Sequence, residues 1–252
     1  MKEQRFACTA CGLCCYGLLP LTINEAISRA DRFPLAISVT PVRSGTRGHT
    51  SISRIGVTAS IGKGKPINLL VTPISFIPPS SPCPALGADN LCSIHNEKPE
   101  RCKTMPFYAY KDEDSQRDML VPRPGWECNT GDDAPVVYRD GSIIDKAEFS
   151  AERAALVEQA PTLQRYIDLL LKYDPTFVMR LQKGIHLLPG GKIVLNFASL
   201  LRHIKSADVT EYARRQHPVL AEWALKTADD PKSSQFHAYY KGALSEIARY
   251  LV

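Results

Sequence analysis

Cys8-Thr9-Ala10-Cys11-Gly12-Leu13-Cys14-Cys15 is the stretch on which the reading of this chain turns. It packs four thiols into eight residues. Spacings of two residues let a backbone wrap its thiolates around one ion or cluster, and Gly12 permits the tight turn that this wrapping needs. Cys14 and Cys15 leave the backbone in different directions. They are poor joint ligands for one mononuclear ion, so either one is a spare or outer thiol or the two serve different metals.

Four further cysteines follow: Cys83, Cys92, Cys102 and Cys128. They sit in Cys83-Pro84, Cys92-x-x-His95, Lys98-Pro99-x-x-Cys102 before Met105-Pro106-Phe107, and a more distant Cys128. The spread is too wide for a zinc finger. It reads as loops that return ligands to the first group, so that Cys8, Cys11 and Cys14 share one site with the loop cysteines. Pro84, Pro99 and Pro106 stiffen those loops and lower the entropy lost on ordering them. Arg5, Lys98, Arg101 and Lys103 flank the thiols, where cations would offset thiolate charge and lower thiol pKa values. Ordinary solvated surface charge is the other account of them. His95, between Cys92 and Cys102, is a further candidate ligand.

The first motif, with Cys-Pro, a second Cys and the Pro99-x-x-Cys102 element before Pro106-Phe107, resembles the YkgJ-like cysteine-cluster family, the zinc- or iron-chelating CxxCxxCC domain. The resemblance covers roughly residues 5–130. It departs at His95, where a Tyr is usual, and at Lys98 and Lys103, where Arg is usual. It implies metal or iron–sulfur binding by Cys8, Cys11, Cys14, Cys15, Cys83, Cys92, Cys102 and Cys128, and it implies no particular reaction. A related cysteine pattern in flagellin lysine N-methylases offers an enzyme alternative. A structural zinc module for protein contacts is another.

The metal is read from the spacing. Cys-x-x-Cys-x-x-Cys is a three-ligand run common to [4Fe–4S] proteins, with Cys102 or Cys128 as distant fourth ligand, and it favours an iron–sulfur cluster. Eight cysteines also divide into two zinc sites of four thiolates each. Disulfides are the weaker account. Met1 to Cys8 has no apolar signal segment, which points to a reducing cytoplasmic compartment.

Outside the cysteines, composition is ordinary. The 252 residues are 44% hydrophobic and 23% charged, which excludes wholesale disorder. The net charge of +5 is spread without a basic block, so nucleic acid is not indicated, and no apolar run reaches membrane-spanning length. A protein partner is left open.

Of 34 Gly plus Pro residues, 24 lie within residues 1–135, so the N-terminal part is rich in turns. Thr22-x-x-Glu25 predicts a capped helix. The Ile-, Val- and Thr-rich stretches 36–42, 51–61 and 67–77 predict a small antiparallel sheet. From about residue 147 the pattern becomes helical. A helix is expected over 151–160, a second from Pro161, a third from Asp174-Pro175 to near Gly184, and a short hairpin within 185–196. A helix from Asp208 should be broken or kinked at Pro218, and a last one runs from Pro231 to Leu251. The expected fold is α+β. A cysteine-cluster domain (1–146) with short antiparallel strands precedes a helical region (147–252), whose apolar stripes cover the sheet.

Catalytic signatures are missing. There is no Gly-x-Ser-x-Gly and no His-Glu-x-x-His. Gly56 to Gly64 comes near a phosphate loop, but it has one residue too many and Gly64 in place of Ser/Thr. Asp112-Glu113-Asp114 reads as a solvated loop, and Glu148 with Glu152 as a surface helix face.

Overall fold

The computed structural model describes residues 3–42, 52, 55–61, 66–187 and 191–251. In chain order the strands are β1 (Glu3–Arg5), β2 (Leu19–Pro20), β3 (Leu35–Val42), β4 (Val57–Ala59), β5 (Ile67–Ser75), β6 (Val136–Arg139), β7 (Ser142–Ile143) and β8 (Ile193–Asn196). The helices are α1 (Ile23–Ser28), α2 (Glu100–Lys103), α3 (Ala147–Tyr173), α4 (Pro175–His186), α5 (Phe197–Leu201), α6 (Val209–Lys226) and α7 (Ser234–Ala248). No helix among the described residues is long and apolar enough to cross a membrane.

The contacts divide the chain into two compact units. One is Met1–Tyr16 with Pro82–Glu158, and the other is Gly17–Ser81 with Gln159–Val252. This division does not follow the linear split at residue 146. The strands of 35–75 need an apolar partner, and they share a unit with the C-terminal helices that supply it.

That second unit holds an antiparallel sheet in the order β2-β5-β3-β8, with β4 also on β5. β3 and β5 pair along their length, from Leu35↔Ser75 to Val42↔Asn68. Both are buried nearly throughout, as expected of strands covered by helices on their apolar positions. α7 buries Phe236, Tyr240, Ala243 and Ile247. Its Phe236 ring stacks on Phe76 at 4.4 Å, and the Tyr240 hydroxyl donates to the Phe76 carbonyl at 2.6 Å. The Tyr239 hydroxyl donates to the Leu35 carbonyl at 2.6 Å. Gln216 of α6 is fully buried and acts as a substitute backbone. Its Oε1 accepts from the Leu35 N–H at 2.9 Å, and its Nε2 donates to the Ala30 and Phe33 carbonyls at 3.0 and 2.9 Å.

Several local expectations hold. Thr22 and Glu25 form the reciprocal capping box of α1. Asp174 caps α4 with Pro175 in its first turn, and Asp208 caps α6. Others are corrected. Residues 151–160 and the segment after Pro161 form one helix, α3, and Pro218 lies inside α6 without ending it. Each proline frees the carbonyl four residues earlier, on Val157 and on Arg214. Pro161, Pro218, Val157 and Arg214 are all exposed, so water can take those carbonyls. Among the described residues the hairpin expected within 185–196 lacks its first arm. Ile185 and His186 end α4, whereas β8 pairs with β3 (Ala36↔Asn196 to Val39↔Ile193). Of the expected strand 51–61, β4 is the part observed, and Ser51, Ser53 and Arg54 lie outside the described residues. Residues 188–190 and Gly62–Gly64 of the phosphate-loop near-match lie outside them too.

The other unit holds the antiparallel sheet β1-β6-β7, α2 and the start of α3. Its loops are held by side chains. Gln116, fully buried, accepts from the Tyr108 N–H at 2.8 Å and donates to the carbonyls of Tyr108, Lys111 and Asp112. Arg153 of α3 donates to the Ala109 and Lys111 carbonyls and pairs with Asp112 at 2.9 Å. Glu113 accepts from the Ile143 N–H at 2.7 Å and pairs with Lys146 at 2.8 Å. The acidic triplet 112–114 is therefore partly structural, not a purely solvated loop.

Candidate metal centre

All eight cysteines fall in this unit, and all are free thiols. They arrive on four backbone segments, and short antiparallel contacts bring those segments together. Ala7 and Asn129 form a β-bridge, with N–H to carbonyl distances of 2.7 and 3.0 Å in the two directions. The register of that bridge sets Cys8 opposite Cys128. A second bridge joins Tyr16 and Pro82, and the Cys83 N–H donates to the Cys15 carbonyl at 2.7 Å, so Cys15 stands opposite Cys83. A third joins Leu86 and Cys92 across the turn at Gly87–Asn90, which folds Cys92 back beside the Cys83 segment.

Gly12 takes the role expected of it, with φ +74°, a left-handed conformation costly to other residues. It also does something its spacing did not disclose. A Cβ there would stand 3.2 Å from the Cβ of Asn90, so Gly12 lets the first cysteine loop lie directly on the tip of the second.

Cys102 is carried by α2, one helical turn that Pro99 starts. The turn is fastened to α3. Thr104 donates to the Glu148 carbonyl at 3.2 Å, and Arg101 lies 3.6 Å from the Glu152 carboxylate. Arg101 also donates to the Phe107 carbonyl and contacts Met105 Sδ at 2.9 Å, with its guanidinium 4.8 Å from the centre of the Tyr108 ring. The Arg101 and Glu152 side chains are 12% and 3% exposed. Glu152 is thus a buried partner and not part of a surface face. A lone Glu on a helix gave no sign of this, because its partner lies 51 positions earlier. Lys103 pairs with Glu100 at 2.8 Å, and Arg5 donates to the Ala134 carbonyl at 2.6 Å. His95 is exposed at the start of a short 3-10 turn.

The thiols act on one another. Cys14 and Cys15 Sγ stand 4.0 Å apart. The Cys15 S–H lowers the Cys14 thiol from the ordinary 9 to about 6 against the opposing effect of burial, with Lys98 and Arg101 adding to the lowering. Cys15 is driven the other way by the same hydrogen bond, by burial, and by the fields of Cys14, Cys83 and Cys102. Burial and then Cys83 push Cys102 up to about 12. Cys128 is raised by burial and then by Cys11, Cys8 and Cys14. Of the four flanking cations expected to serve the thiols, Lys98 and Arg101 lower Cys14, and Arg101 is also a structural anchor.

Residues 7–123 match the family model described as "CxxCxxCC: Putative zinc- or iron-chelating domain". The matched stretch is similar to that domain and includes seven of the eight cysteines, and Cys128 falls just beyond it. No curated protein and no solved structure matches the chain. The donor set of the matched stretch suits zinc or iron in kind, since thiolates are ligands for both. The backbone bridges also place the carriers of those thiols side by side. Among the described residues, however, no three His, Cys, Asp or Glu side chains form a ready-made ion site.

Proposed function

We propose that this protein holds zinc or iron through its clustered cysteines, with Cys8, Cys11, Cys14, Cys15, Cys83, Cys92, Cys102 and Cys128 as the ligand pool. The observation that carries this reading is the pairing of remote thiols by backbone register, Cys8 with Cys128 and Cys15 with Cys83. Eight free thiols gathered in one unit, half of them from loops tied down by Pro, Gly and buried Arg101, suit ligation better than packing. The three-ligand run Cys8-x-x-Cys11-x-x-Cys14 favours a [4Fe–4S] cluster as the group held. Such a group supplies electron transfer or structural bracing. The chain supplies the thiolates, and Lys98 and Arg101 supply positive charge near Cys14. Free thiols in this number suit the reducing cytoplasm.

The metal is part of the fold of its unit in this reading. Structural thiolate sites contribute ~10–16 kcal/mol of apparent binding free energy, as much as the net stability of a domain. Hydrogen exchange before and after chelation tests it. Amides of residues 3–16 and 82–130 should exchange faster in the metal-free protein, while those of α6 and α7 keep their protection. Unchanged exchange across the cysteine segments would contradict the reading.

A further inference from the structure

Consecutive residues on an extended backbone turn their side chains to opposite sides. Cys14 and Cys15 depart from that divergence. Their sulfurs stand 4.0 Å apart. The turn that carries them holds this approach in place. The Cys15 N–H donates to the Gly12 carbonyl at 2.9 Å, which closes a turn over residues 12–15. The Cys15 carbonyl accepts from the Cys83 N–H at 2.7 Å. Both backbone groups of Cys15 are thus engaged, and its side chain is kept beside that of Cys14. The two thiols differ in access, since Cys14 is exposed and Cys15 is half-buried. An accessible thiol with a second thiol directly beside it is the arrangement of a nucleophilic and a resolving cysteine.

We propose that Cys14 and Cys15 form a redox-active dithiol, with small-molecule disulfides such as oxidised glutathione as its oxidant. The Cys14 thiolate attacks one sulfur of the small disulfide. That S–S bond breaks, a mixed disulfide forms on Cys14, and one small thiolate leaves. The Cys15 thiolate then attacks the Cys14 sulfur, which forms the Cys14–Cys15 bond and releases the second small thiolate. Two electrons pass from the protein thiols to the small disulfide, and the two protons the protein thiols give up end on the two small thiols. Closing the bond takes side-chain rotation that brings the sulfurs from 4.0 Å to about 2.05 Å. The α-carbons of neighbouring residues are only about 3.8 Å apart, against about 4.4–6.8 Å in ordinary disulfides, so the bond is strained and readily reduced again. Labile disulfides of this kind sense redox state rather than brace a fold. One consequence rests on the metal-binding reading above: oxidation withdraws two thiolates from the ligand pool and so couples metal holding to the surrounding thiols.

The test treats the full-length, reduced, metal-free protein with rising oxidised glutathione in the absence of oxygen. Remaining thiols are alkylated after an acid quench, and fragmentation mass spectrometry locates the bonds. The first disulfide to form should join Cys14 to Cys15 and leave the other six cysteines alkylated, and dithiothreitol should return all eight thiols. In Cys15→Ser the reaction should stop with glutathione on Cys14. A first disulfide between any other pair, or eight free thiols in oxidised glutathione alone, overturns the redox pair, and neither result needs a variant to fold. A second arm counts bound Zn²⁺. The reduced protein should hold zinc, the Cys14–Cys15 disulfide form should hold less, and reduction should restore the difference. Equal zinc in the two forms overturns the coupling. No zinc on the reduced protein overturns the metal-binding reading, while the mapped disulfide still supports the redox pair.

Discussion

Replacing Glu152 probes whether the seat of Cys102 is held as described. The carboxylate lies 3.6 Å from Arg101 Nη1, with both side chains nearly buried. At an effective dielectric constant of about 20 the gross attraction at that distance is about 4–5 kcal/mol. Removing one partner of a buried pair costs ~3–5 kcal/mol, because the other charge is left without compensation. Arg101 keeps the Phe107 carbonyl, the Met105 sulfur and the Tyr108 ring, which places Glu152→Ala at the low end, about 3 kcal/mol. Glu152→Gln keeps the shape and an acceptor and should cost about 1–2 kcal/mol. Hydrogen exchange of the amides of Cys102, Lys103 and Thr104 reads the effect locally, and 3 kcal/mol corresponds to about 100-fold faster exchange. An acceleration below about fivefold in Glu152→Ala would refute the idea that this pair anchors α2.

Gln216→Leu should leave the Leu35 N–H and the Ala30 and Phe33 carbonyls without their partner. The expected cost is ~3–5 kcal/mol, or roughly a 10 °C fall in melting temperature, and a fall under about 2 °C would show that Gln216 is replaceable. Ending the chain at residue 230 removes Phe236, Tyr240 and Ile247 from the core together with the hydroxyl bonds to the Leu35 and Phe76 carbonyls, and should yield insoluble or unfolded protein; an unchanged melting temperature would contradict this. In metal-free protein the pKa of Cys14 is lowered in the folded state. Its thiolate therefore contributes stability that is fully present above about pH 9 and lost as pH falls through about 6. Iodoacetamide should accordingly label Cys14 with a midpoint near pH 6 while Cys15 and Cys102 stay unreactive to pH 9, and one shared pH profile for all three thiols would count against the Cys14–Cys15 hydrogen bond.

What could be read from the sequence was local. Thr22 with Glu25, Asp174 with Pro175, and Asp208 announce helix starts because capping acts over three residues, and the structure has all three. The cysteine spacing pointed to the CxxCxxCC family because ligands two residues apart have few other uses, and the family model matches residues 7–123. The parts that were not legible depend on residues far apart in the chain. Arg101 and Glu152 carry no mark of their pairing, and the contact of Gly12 with Asn90 needs both loops in place. β8 looks like half a local hairpin until β3 is there to receive it. The two corrections at proline share one cause, since a helix interior accepts proline where the freed carbonyl faces water, and exposure is not written in a proline's neighbours.

The most direct test of the central claim is a metal count on protein purified without oxygen or added metal, with thiol alkylation on the same sample. The account predicts zinc or iron at one equivalent per chain or more, with iron accompanied by the brown colour and charge-transfer absorption of a cluster. It also predicts that Cys8, Cys11, Cys14, Cys15, Cys83, Cys92, Cys102 and Cys128 resist alkylation until a chelator is added. Protein with only trace metal and all eight cysteines alkylated at once would contradict it.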